Sequence, residues 1–152
     1  MLIKQQVQPT PITCVSTCMS MILGVPVEEV INEFHEKYYT ECSITCAKYL
    51  QSKGLTVERM YADFSPKNID YNTVYGLIVP SLNIEGGTHM VLMEVDSEGN
   101  WCIYDPNYKK ESKKYYIPVK YEDNDNNLEV GINSYVINFS ISVDDIKEFL
   151  SK

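Results

Sequence analysis

The two halves of this chain carry different periodicities, and that order restricts the fold more than any other feature. From Cys14 to Leu23, "CVSTCMSMIL", apolar residues recur at helical spacing, and Gly24 follows as a stop. From residue 73 the pattern changes to short apolar runs, "TVYGLIVPSL" (73–82) and "THMVLMEV" (88–95). "DSEG" (96–99) reads as a turn, and "NWCIYD" (100–105) as the strand returning from it. Helices first and antiparallel strands second predict an α+β fold. A length of 152 residues predicts one domain spanning 1–152.

Other elements follow from local signals. Pro9 and Pro11 hold residues 8–13 in a loop, and Thr13 is placed to cap the first helix. A second helix is expected over 25–38, with Pro26 early, Glu28 and Glu29 in the first turn, and Val27, Val30, Ile31 and Phe34 on one face. A third is expected over 43–53, ended by Gly54. Residues 55–64 read as strand-like, with a turn around Pro66. Two further strands are expected at 115–121 and 134–141, a polar loop at 122–127, and a closing helix at 143–150 capped by Ser142.

Charge and composition exclude several classes. The formal net charge is −8, and the one dense basic stretch (Lys109, Lys110, Lys113, Lys114) is interrupted by Glu111 and reads as a solvated loop. No basic surface for a phosphate backbone is expected, hence no nucleic-acid partner. No apolar run approaches the ~20 residues of a membrane span. "MLIKQQVQPT" lacks the apolar stretch of a secretory signal, so a cytoplasmic protein is expected. Five cysteines, an odd number, predict free thiols. Cys14/Cys18 and Cys42/Cys46 are each four apart, which on a helix puts each pair on one face. The usual zinc knuckle has two residues between ligands, not three, so packing inside helices is expected and no metal or cofactor is assigned. His35, beside Glu36 and Lys37, reads as a surface residue.

One constellation carries chemistry. If Val95 or Glu94 pairs with Asn100 across the hairpin, His89 lies opposite Asp105 or its neighbour Pro106. A one-residue slip sends one of the pair to the other face. An Asp beside a His holds its tautomer and stabilises the imidazolium. Cys14 at a helix N-terminus sits where the dipole and free amides favour a thiolate, and an imidazolium neighbour favours it further. Such a thiolate attacks an acyl carbon to form a thioester. The Cys14 amide and the side-chain amide of Gln8 are the expected donors to the tetrahedral oxyanion.

"QPTPITCVSTCMSMILG" resembles the opening of the C39 peptidases, papain-like cysteine peptidases that process bacteriocin and pheromone leaders after a double glycine. That family has Gln, five residues, then Cys and a helix, a layout that Gln8, Cys14, Met21 and Leu23 fit. "GTHMVLMEVDSEGNWCIYDPN" resembles its second block, with His opening an apolar strand and Asp-Pro closing the next. The resemblance implies a papain-like fold, Cys14 as nucleophile, His89 as base, Asp105 as orienting carboxylate, Gln8 in the oxyanion hole, and a peptide or protein substrate. It implies a stand-alone member, since transporter segments are not in this chain. The family usually has Asp before the nucleophile and Gly after it; Thr13 and Val15 stand here and alter the walls of the site. The other readings are acyl transfer of a transglutaminase-like kind on the same fold, and a catalytically silent peptide-binding module.

Overall fold

Four antiparallel strands form the central sheet of the computed structural model, in the order β3-β2-β1-β6. Here β1 is Thr73–Pro80, β2 Thr88–Val95, β3 Trp101–Tyr104 and β6 Val136–Ser142. The structure describes residues 1–58, 69–120 and 126–152. β4 (Tyr115–Ile117) and β5 (Glu129–Gly131) pair in parallel as a separate ribbon. The helices are α1 (Cys14–Leu23), α2 (Val27–Val30), α3 (Cys46–Ser52) and α4 (Val143–Leu150), and α2 continues as a π-helical stretch over Ile31–Thr40. The fold is α+β, as the change in periodicity predicts.

The sheet is buried on both faces, which is why its strands read as continuous apolar runs. Val74, Met90, Leu92, Phe139 and Ile141 pack with α1 and α3 residues such as Cys18, Met19, Ile22 and Leu50. Tyr75, Leu77, Val79, Val91, Met93 and Val95 form the core of the other face, with Tyr116 and Ile137. Gly76 is required by packing. It pairs with Phe139 across β1 and β6, and a Cβ there would lie 2.1 Å from the Phe139 ring. The register shifts between Gly76 and Leu77, as at a β-bulge.

Several expected elements differ in extent. Of the strand expected at 115–121, Tyr115–Ile117 forms, ended by Pro118, which has no amide to donate; Tyr121 lies outside the described residues. β5 was not expected. Residues 55–58 form no strand; Leu55 and Val57 are buried in irregular chain. The remainder of the 55–64 stretch, Pro66 and most of the 122–127 loop lie outside the described residues. The caps at Gly24 (φ +68°) and Ser142 (Oγ accepting from the Asp144 amide at 3.1 Å) form as expected. Among the described residues, no single helix is long and apolar enough to cross a membrane.

Candidate active site

The loop before α1 sets the position of Cys14. Thr13 occupies the N-cap position but makes no side-chain bond to the helix. Its hydroxyl turns back, accepting from the Thr10 amide at 3.1 Å and donating to the Thr10 carbonyl at 3.0 Å. The expected Thr13 cap is thus replaced by a closed turn, because two threonines three apart satisfy each other locally. The first amides of α1 stay free of any side-chain acceptor from Thr13. Cys14 is half-buried and faces a cleft.

His89 and Asp105 meet, but not by direct opposition. The pairs are Val95↔Trp101, Glu94↔Cys102, Met93↔Ile103 and Leu92↔Tyr104. Continuing that register puts Val91, not His89, across from Asp105. The expected pairing, in which Asn100 meets Val95 or Glu94, is corrected to one in which Trp101 meets Val95. Relative to direct His89–Asp105 opposition the shift is two residues, an even number, so both side chains keep the same face. The imidazole reaches diagonally to the carboxylate, Nε2 to Oδ1 at 2.7 Å. Diagonal neighbours lie within reach of long side chains.

The carboxylate is held on every side. Asp105 is 1% exposed. Its Oδ1 also accepts from the Asn107 amide at 2.8 Å, and its Oδ2 accepts from the Tyr116 amide at 2.8 Å. Asp105 therefore makes the side-chain turn common before proline and orients the histidine as well. With Nε2 committed to Asp105, Nδ1 is the ring nitrogen left for Cys14, and the thiol and the imidazole line the same small cavity, close enough for each to shift the other's ionisation.

That contact decides the ionisation. Burial alone pushes the Cys14 thiol up. The hydrogen bond and charge of His89, with the backbone amides of Met90 and Val15, outweigh it and hold the thiol below its ordinary value. Burial alone would lower His89, but its bonds to Asp105 and then Cys14 raise it to about 9. Both directions favour a thiolate–imidazolium pair. Elsewhere burial dominates: Cys18 is pushed well up and Cys46 rises to about 12.

Gln8 is delivered to the site by an N-terminal arm that is tied down along its length. The buried Glu94 carboxylate accepts from the Leu2 amide at 2.7 Å and the Ile3 amide at 3.0 Å. Gln5 Nε2 donates to the Asp105 carbonyl at 2.9 Å, and the Gln8 amide to the Pro106 carbonyl at 2.8 Å. Gln8 is buried at the wall of a small cavity that also takes in Cys14 and His89. Its Nε2 donates to the Thr10 carbonyl at 2.8 Å, leaving one N–H available, and its Oε1 is buried without a partner.

A second hollow of about 340 Å³ opens on the α1 side of Cys14. Its apolar lining includes Ile12, Val15, Phe34, Tyr38 and Ile84. Ile12, Tyr39 and Ile84 are exposed large hydrophobics on its walls. His35 is half-buried on this wall and stacked on exposed Tyr39, with centroids 5.3 Å apart, so its surface position is one that borders the hollow. The Ser16 hydroxyl, beside the same hollow, is buried without a partner.

All five cysteines are free. Cys42 lies outside α3, exposed and at φ +53°, so it shares no helix face with Cys46. Among the described residues, no group of three His, Cys, Asp or Glu side chains is placed to hold a metal ion. No family model matches the chain, and no curated protein sequence does.

Proposed function

We propose that this chain is a cysteine peptidase of the C39-like, papain-like type, hydrolysing peptide bonds through a thioester on Cys14. The observation that carries the reading is the grouping of Cys14 with a His89 that is hydrogen-bonded to Asp105, with the thiol opening to a cleft and its ionisation tilted toward the thiolate.

The proposed steps use the groups so placed. The Cys14 thiolate attacks the scissile carbonyl carbon, and the carbonyl electron pair moves to oxygen. The Cys14 amide and the remaining Gln8 N–H are the donors to that oxyanion. The His89 imidazolium gives its proton to the leaving amine as the C–N bond breaks. Neutral His89 then takes a proton from water, whose oxygen attacks the thioester and releases the acid and the thiol-bearing enzyme. Asp105 holds the ring so that one nitrogen faces the sulfur throughout.

The hollow of about 340 Å³ beside Cys14 is larger than two glycines need. It favours at least one bulky apolar side chain on the acyl side over a strict double-glycine leader.

Incubation with a random peptide library, read by mass spectrometry, tests the reading. New termini made by the wild type and not by Cys14→Ala support it. Amide products formed only when an amine is added identify acyl transfer instead. Neither product, with Cys14 fully accessible, leaves the silent binding module.

A further inference from the structure

The small cavity shared by Gln8, Cys14 and His89 has an unexpected charge for this chain. The protein has 21 Asp and Glu against 13 Lys and Arg. The cavity lining nevertheless includes Lys110 and Lys113, with Asn83 and Asn107, and holds no acidic side chain. Glu85 and Glu111, on the two loops that form this wall, are exposed and are not part of the lining.

The lysine loop is fastened to the cleft. Lys110 Nζ donates to the Gln8 carbonyl at 2.6 Å. Asn83 clamps the other end: its Nδ2 donates to the Lys114 carbonyl and its Oδ1 accepts from the Lys114 amide, both at 2.9 Å. Lys113 sits between these anchors, half-buried, with no ion-pair or hydrogen-bond partner for its ammonium among the described residues. A half-buried ammonium with no ion-pair partner is screened less than a fully solvated one.

His89 fixes which half of a substrate meets this wall. The proton of its imidazolium goes to the leaving amine, so the leaving half lies on the His89 side. The apolar hollow, which takes in Val15 and Ser16 but not His89, lies on the acyl side.

We propose that Lys113, with Lys110, Asn83 and Asn107, forms an anion-selective subsite on the leaving-group side of the cleft, which selects peptides carrying an Asp or Glu side chain just beyond the scissile bond. Lys113 supplies the free charge. Lys110, bonded to the Gln8 carbonyl, is a positioning residue for Gln8. The substrate assignment rests on the peptidase reading; the anion selectivity does not.

Two alkylating reagents separate these. Iodoacetate and iodoacetamide attack the same sulfur, but only iodoacetate is an anion. The ratio of their rates is measured at Cys14 by peptide mapping at low ionic strength, with exposed Cys42 of the same molecule as reference. The ratio is expected to be higher at Cys14 than at Cys42. Lys113→Gln is expected to lower it about threefold, Lys113→Glu further, and added salt to compress the differences. Lys147→Gln, on α4 beside a different cavity, changes net charge equally and controls for overall charge. A ratio unmoved by Lys113→Glu overturns the subsite. Slow reaction with both reagents near neutrality instead overturns the activated thiol, and the ratio is then read over longer times at about pH 9.5, since both reagents draw on the same thiolate fraction and it cancels in the ratio.

In the peptide library, cleavage sites are expected to be enriched in Asp and Glu on the leaving side, and Lys113→Glu to abolish or invert that enrichment. Enrichment in Lys or Arg, or none, with cleavage proceeding, overturns the substrate class while leaving the peptidase reading intact.

Discussion

His89 reaches Asp105 along a diagonal of the β2–β3 hairpin, Nε2 to Oδ1 at 2.7 Å, with two more backbone amides closing on the same carboxylate. The ring is thereby turned so that its other nitrogen meets a thiol from a different layer of the fold. The chemistry proposed for the site depends on that orientation.

The first expected outcome concerns pH. The Cys14 thiol is held below its ordinary value by His89, against the effect of burial. Its alkylation rate by iodoacetamide should therefore reach its plateau below the pH of an ordinary thiol. Replacing His89 with Ala leaves burial without its main opponent, so the thiol rises and the rate near pH 7 should fall about tenfold or more. Turnover should also fall as pH rises through about 9, where His89 loses the proton that the proposed mechanism gives to the leaving amine. The two limbs belong to the coupled pair, not to one residue. A rate profile identical in wild type and His89→Ala would sink the pairing.

Asp105→Asn should lower kcat by about 10²–10⁴-fold. The substitution also turns an amide donor toward either the His89 ring or the Tyr116 amide, because both carboxylate oxygens now accept. A stability loss of about 1–3 kcal/mol should accompany it. Denaturant melts alongside steady-state rates separate the two effects: the rate loss should persist well below the unfolding transition.

Gln8→Ala should cost about 10²-fold or more in kcat while leaving Cys14 reactive toward iodoacetamide, since alkylation develops no oxyanion. Comparing the two readouts on one preparation is the check. Full turnover in this variant would remove Gln8 from the mechanism.

Gly76→Ala should destabilise the protein by about 1–3 kcal/mol, since the added methyl meets the Phe139 ring at 2.1 Å. Chemical denaturation should show a lower midpoint. Phe139→Leu introduced into the alanine variant should recover part of the loss, because it removes the ring that the methyl strikes.

Much of the site is legible along the chain, because its parts are local signals. A cysteine at a helix start, a histidine opening an apolar strand and an aspartate before proline are each set by a few neighbouring residues. The hairpin bounds at 88–95 follow from the "DSEG" turn. The register is less legible: parity carries His89 and Asp105 to one face, but the turn leaves several registers open. The lysines mislead because their sequence neighbourhood is polar. Tertiary contacts bring that loop to the cleft, among them the Asn83–Lys114 clamp, the Lys110–Gln8 bond and the Tyr116 amide on Asp105. His35 reads correctly as lying at the surface, but its stacking on Tyr39 beside the hollow has no local signal.

The sequence by itself determined the α+β class, the order of the main elements and the residue types that nucleophilic chemistry requires, because side-chain periodicity is a property of the backbone over a few residues. Tertiary structure decided the rest. Glu94 holds the arm 92 residues before it in sequence, and Lys110 bonds a carbonyl 102 residues away. Such contacts depend on how whole layers pack, and no local pattern encodes which distant amide a buried carboxylate will find.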